Sequence, residues 1–114
     1  MVSVDTIKSK KDFDLLYQKG KALHGKFFYL RYLPAKNGGG SSRFAVVMSL
    51  KISKKSVERN RKRRQLKEII RLNINKIKKG FLVLLVAKEG ILETNYQELE
   101  REFLSLIKKA GIAN

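Results

Sequence analysis

The chain has 114 residues, 43% of them hydrophobic, with 26 Lys and Arg against 10 Asp and Glu for a net charge of +16. That apolar content supports one modest core and a single domain, residues 1–114, and excludes an intrinsically disordered chain. With no cysteine there is no disulfide or thiolate metal site, and one histidine, His24, argues against a histidine metal centre or a Ser-His-Asp hydrolase.

Residues 9–20, "SKKDFDLLYQKG", read as a short helix. Phe13, Leu16 and Tyr17 share one side at i, i+3, i+4 spacing. Ser9 is its N-cap, Asp12 stands three residues later as in a capping box, and Gly20 ends it. Residues 25–34, "GKFFYLRYLP", read as a strand with Phe28, Leu30 and Tyr32 on one face and Phe27, Tyr29 and Arg31 on the other. "AKNGGGSS" is a glycine-rich loop. "RFAVVMSL" is a second strand, expected to pair with the first as an antiparallel hairpin.

Residues 53–80 read as one long helix, with Leu66, Ile69, Ile70, Ile74 and Ile77 as its apolar stripe and Gly80 as its stop. "FLVLLVAK" is a continuous apolar run of strand length, which predicts a strand buried on both faces. Residues 94–111 form a last helix capped by Thr94 or Asn95. Glu98 and Glu100 sit early in it, Lys108 and Lys109 late, and Gly111 closes it, the charge order that the helix dipole favours. The order α-β-β-α-β-α implies an α+β fold, a two-layer sandwich of helices on a small mixed sheet.

The charge of +16 points to a polyanionic partner. No segment pairs a basic face with a wide apolar face, so a membrane surface is not the expected partner, and without a long apolar run or signal peptide a cytoplasmic protein is expected. The charge concentrates in "SVERNRKRRQ", residues 56–65. Between Lys51 and Arg71 ten basic residues face two acids, Glu58 and Glu68, and Arg59, Arg61, Lys62, Arg63 and Arg64 crowd the first half of the helix. Exposed cations at a helix N-terminus cost about 0.3–1 kcal/mol each, and repulsion at i, i+3 and i, i+4 adds to that. Stability alone does not select this order; bound phosphates would. A merely solvated basic face or a localisation signal are the plainer alternatives.

"ERNRKRRQLKEIIR" strongly resembles the RNR signature of the protein subunit of bacterial ribonuclease P, and the resemblance extends over nearly the whole chain. "KKDFDLLYQKGK" resembles that family's N-terminal helix and "KFFYLRYLP" its long strand. "RFAVVMS" resembles the strand before the basic segment, "GFLVLLVAK" the late buried strand and "NYQELEREFLSLIKK" the last helix. The chain departs from the pattern at Lys62, where an aliphatic residue is usual and whose stem is expected to snorkel over the core. It also departs at Leu50-Lys51, where two basic residues are usual, and at Ala45, where glycine is common.

The resemblance implies a fold with a left-handed βαβ crossover. It implies a function in removing the 5′ leader of precursor tRNA, cleaved by a large catalytic RNA with Mg2+ that the RNA mainly holds. The protein, inactive and monomeric alone, would bind both the RNA and the leader and supply no catalytic residue; Asp12 and Asp14 near the cleft are too few to argue a metal site. Arg59, Asn60, Arg61, Arg63, Arg64 and Lys67 would face the RNA, with Lys51, Lys54, Lys55 and Arg71 extending the surface. Arginine forks match phosphate oxygens, and asparagine can hold a backbone or base edge. The leader would lie in a cleft of Phe13, Tyr17, Tyr29 and Arg31, aromatic platforms beside a cation. Arg31 stands where an aromatic is frequent and is expected to contact phosphate or stack its guanidinium plane. Without the resemblance, Phe13 and Tyr17 read more readily as plain core than as cleft. A ribosomal-type RNA-binding protein and a DNA-binding regulator stay open as alternatives, although no helix and tight turn precede the basic helix as a helix-turn-helix requires.

Overall fold

The structure, a computed structural model, describes residues 5–35 and 42–114. The most apolar segment takes the centre of the sheet. β5 (Phe81–Ala87) buries Leu82, Val83, Leu84 and Leu85, side chains that point alternately to both faces. It pairs in parallel with β4 (Arg43–Val47) and antiparallel with β3 (Phe28–Pro34). The edges are β1 (Asp5–Thr6) beside β4 and β2 (Lys21–His24) beside β3, giving the order β1-β4-β5-β3-β2.

The expected hairpin of β3 and β4 is therefore not formed, because β5 lies between them. A strand apolar on both faces gains most from a central place, with a neighbour on each side and helices above and below. β3 makes its hairpin with β2 instead. β2 is four residues long and mostly exposed, so no alternation in "KALH" announces it. Most of the glycine-rich loop, residues 36–41, lies outside the described residues.

β4 and β5 are parallel neighbours and need a crossover. It is supplied by α2 (Ser56–Leu72), which is shorter at both ends than the expected helix over 53–80. Asn73 is the physical stop. Its buried side chain donates from Nδ2 to Ile69 O at 2.8 Å and to Glu100 Oε2 at 3.0 Å, and a 3-10 turn, Ile74–Lys76, follows. Ile77, read as part of the helical stripe, is buried beyond the helix in a bridge to Ala113.

On one face of the sheet, Phe28, Leu30, Phe44, Val83 and Leu85 meet Leu66, Ile69 and Ile70 of α2. They also meet Leu99, Phe103, Leu106 and Ile107 of α3 (Tyr96–Ala110). These side chains are all but inaccessible, and each contributes about 1.5–3 kcal/mol of burial. This is the expected two-layer sandwich. On the second face α1 (Lys10–Lys19) adds a partial third layer, with Leu16 buried against Ala45, Leu82 and Leu84. Ser9 caps α1 as expected, accepting from Lys11 N at 3.2 Å, but Asp12 faces Arg43 at 3.8 Å instead of closing a capping box. Gly20 ends α1 with an extended backbone. A Cβ there would stand 2.4 Å from Leu16 O, so close approach, not a left-handed turn, demands the glycine.

Candidate nucleic-acid interface

α2 enters its first turn without help from a side chain at its N-cap, Lys55. Ser53 partly substitutes: its Oγ accepts from Lys55 N at 3.0 Å and donates to Glu58 Oε1 at 2.7 Å. Arg59 clamps the same loop by donating from Nη1 to Ser53 O at 2.6 Å. Arg63 donates to Asn60 Oδ1 at 2.8 Å, and Arg71 forms a bidentate pair with Glu68, whose carboxyl this bonding holds below the usual range. Arg61, Arg64 and Lys67 are exposed and have no side-chain partner among the described residues, and Lys51, Lys54 and Lys55 are exposed on the approach to the helix. The basic residues thus divide into three groups. Arg59 and Arg63 are partly engaged, Arg71 is neutralised by Glu68, and Arg61, Arg64, Lys67, Lys51, Lys54 and Lys55 are open to a ligand.

Lys62 is not on this surface. Its side chain is buried as a whole, not only its stem, and Nζ donates to Thr94 O at 2.5 Å and Gln65 Oε1 at 3.1 Å. Burial, then Arg61, holds its pKa below the ordinary lysine value, with Glu98 acting in opposition. The expected snorkelling is corrected to a buried tether from α2 to the segment that opens α3.

The second face of the sheet has a covered end and an open one. Ala45, Leu84, Arg31 and Ala22 form one row across the strands, and Val47, Val86, Tyr29 and His24 form the next. α1 packs over the first row through Leu16, while the second is only partly covered. Tyr17 stands at this margin with 46% of its surface exposed, whereas Phe13 packs against the small core beneath α1. Arg31 donates from Nη1 to Leu16 O at 3.0 Å and to the carbonyls of Tyr17 and Gly20 at 3.4 Å, capping the end of α1. Its guanidinium lies 5.4 Å from the Tyr17 ring centre. In the free protein Arg31 is thus occupied with the end of α1 and the Tyr17 ring. Burial, then Tyr29, raises the Tyr17 phenol, with Arg31 opposing.

Sequence reasoning missed His24 as part of this row. Its ring lies 5.1 Å from that of Tyr29, tilted 38°. Only the register of β2 on β3 places them together. It also missed Glu102, which accepts from the backbone N–H groups of Lys26, Phe27 and Phe28, more than seventy residues away.

Residues 1–111 match the sequence model of the family described as Ribonuclease P. This chain belongs to the bacterial ribonuclease P protein family. A ribonuclease P protein component from Microcystis aeruginosa is 35% identical over 96% of this chain and 92% of its own length. One from Clostridium botulinum is 36% identical over 95% and 96%. Among solved structures, the RNase P protein of Thermotoga maritima superposes with a TM-score of 0.82 at 26% identity, covering 92% of this chain and 96% of its own. That of Staphylococcus aureus matches in fold with a TM-score of 0.85 at 19% identity, over 98% and 100% of the two chains.

Ribonuclease P is an endoribonuclease ribonucleoprotein whose catalytic subunit is RNA, and its protein component works with that RNA in the 5′ processing of tRNA. Among the described residues, no three His, Asp or Glu side chains cluster where they would hold a metal ion. No described helix is long and apolar enough to cross a membrane.

Proposed function

We propose that the open basic side of α2 docks this protein onto the catalytic RNA, and that the cleft between α1 and the sheet holds the 5′ leader of precursor tRNA. Arg61, Arg64 and Lys67 meet phosphates directly, with Asn60, Lys51, Lys54 and Lys55 beside them. Arg59 and Arg63 keep their clamps on the α2 entry while offering the remaining guanidinium donors, and Arg71 contributes least because Glu68 already holds it. In the cleft, Tyr17 and Tyr29 supply stacking faces, Phe13 supports Tyr17 from beneath, and Arg31 stiffens the site by capping α1. The protein positions substrate and neutralises phosphate charge. Magnesium ions are held mainly by the RNA, and no residue of this chain takes part in bond cleavage. The protein alone is monomeric and acts in the cytoplasm, with neither DNA nor membrane as partner.

The observation that carries this reading is the crowding of cations on α2, from Lys55 at its N-cap through Arg59, Arg61, Arg63 and Arg64, which repel one another in isolation and suit a polyanion. The cleft is tested with Tyr17→Ala. Each stacked base contributes roughly 1–3 kcal/mol. The variant should therefore lose affinity for precursor tRNA in the holoenzyme while binding mature tRNA, which has no leader, as the wild type does. Equal losses for the two ligands would reject the cleft as the leader site. Purified protein with magnesium and no RNA should leave precursor tRNA uncut.

A further inference from the structure

Beyond the open row of the cleft, the β2–β3 turn and α3 enclose a groove of about 500 Å³. His24, Lys26, Phe27, Arg101, Ser105 and Lys109 are among its walls. Two acids also line it, Glu98 and Glu102, but both are committed to the backbone. Glu98 closes the capping box of α3 by accepting from Asn95 N at 3.1 Å. Glu102 accepts from Lys26 N at 2.5 Å, Phe27 N at 2.9 Å and Phe28 N at 3.2 Å. Gly25 makes that reach possible, since a Cβ there would stand 2.6 Å from the Glu102 carboxyl carbon. Lys26, Arg101 and Lys109 have no acidic partner among the described residues and are exposed. With three cations against two carboxylates, both of the latter occupied by backbone N–H groups, the groove keeps one net positive charge and three exposed cations for a ligand.

His24 belongs to both places. Its ring lies beside Tyr29 at the end of the cleft row, and it lines the groove around the edge of the sheet. β2 is the edge strand, so among the described residues no further strand blocks the way round.

We infer that this groove is a second binding site for single-stranded RNA, receiving the distal part of a long 5′ leader as it leaves the cleft past Tyr29 and His24. Phosphates sit against Lys26, Arg101 and Lys109, and Phe27 with Leu106 forms an apolar floor. The inference rests on the leader-cleft reading and extends it to leader length. Short leaders end inside the cleft; longer ones reach the groove and bind more tightly.

The test uses the reconstituted holoenzyme and precursor tRNAs whose leaders are lengthened one nucleotide at a time, with affinity measured against salt. Wild-type affinity should climb, level off, and climb again as the strand enters the groove. Arg101→Ala/Lys109→Ala should abolish the second rise, a several-fold loss confined to long leaders. For those leaders the slope of log affinity against log salt should fall by about 1.4, at roughly 0.7 per phosphate released from a single strand. Both side chains are exposed, so the thermal midpoint of the variant reports that folding is intact. A double variant that follows the wild type at every length overturns the groove while leaving the cleft standing. A loss shared by short leaders and mature tRNA overturns it too, because the groove would then contact another part of the complex. Tyr17→Ala in the same series separates the two readings: if it loses nothing at any length, the cleft fails whatever the groove does.

Discussion

α2 and α3 pack side by side on one face of the sheet, and their inner faces are alike. Leu66, Ile69 and Ile70 on one and Leu99, Phe103, Leu106 and Ile107 on the other are buried in one cluster. Their outer faces follow opposite rules. α3 opens with a complete capping box, Asn95 with Glu98, carries Lys108 and Lys109 in its last turn, and closes at Gly111 in the left-handed region with φ 76°. α2 opens on Lys55 with no side-chain cap, gathers four cations outside the core, Arg59, Arg61, Arg63 and Arg64, and has Glu58 as the acid of its first turn. The packing of both helices serves the fold. Outside the core, α3 is built for its own stability and α2 for a ligand, and the unfavourable terminus is tolerated because the shared core holds it in place.

The largest effect that would break this contrast comes from removing the open cations. Arg61→Ala/Arg64→Ala/Lys67→Ala should lower affinity for the catalytic RNA by orders of magnitude at moderate salt. The slope of log affinity against log salt should flatten by roughly 2–3, given about 0.7–0.9 per phosphate contact. Thermal stability should hold or rise, because like charges are removed from one helix. Filter binding across a salt series, with calorimetry on the free protein, checks both halves. An unchanged slope would place the RNA elsewhere.

A smaller effect comes from exchanging the rules at the two N-termini. Asn95→Ala removes the cap of α3 and should cost about 0.5–2 kcal/mol, with RNA affinity untouched. Lys55→Asp gives α2 the cap it lacks and should stabilise the protein by roughly 0.5–1 kcal/mol, while RNA affinity falls. Chemical denaturation and RNA binding measured on both variants should therefore move in unlike combinations. A Lys55→Asp protein that is both more stable and a better RNA binder would contradict the account of α2.

This contrast was legible in the sequence because it is local. Charge order, caps and apolar stripes occupy adjacent positions, and Leu66, Ile69, Ile70 and the alternation of Phe28 and Leu30 took the places their spacing predicted. The family, too, was legible, from the Arg-Asn-Arg signature in its setting of elements. What was not legible depends on register between distant segments. The central position of β5, the pairing of Tyr29 with His24, and the reach of Glu102 to Lys26 follow from which strand lies beside which, and no local pattern encodes that. The end of α2 at Asn73 belongs to the same class, since the Glu100 carboxylate that its side chain meets comes from α3. In the site itself, residue identity gathered the cations on one helix, but only contacts divided the open ones from Arg71, paired with Glu68, and from Lys62, turned inward.

The smallest expected effect concerns that inward lysine, where the two helices touch. Lys62 donates to Thr94 O just before α3 begins, near the positive end of the α3 dipole, with Arg61 beside it and Glu98 in opposition. Burial and Arg61 hold its pKa in the folded protein below the ordinary lysine value. Between that depressed value and about 10.4 in the unfolded chain, the unfolded state carries more protons at this position than the folded state. Stability contributed by Lys62 therefore rises with pH across this window. Lys62→Met carries no such proton, and the raised phenols of Tyr17 and Tyr96 are common to both proteins and cancel in the difference. Thermal midpoints of wild type and Lys62→Met, measured from about pH 7 to about pH 9.5, should diverge in the wild type's favour as pH rises. A difference that stays constant, or that moves toward the variant, would mean that the ammonium is solvated and that α2 and α3 are joined by their apolar faces alone.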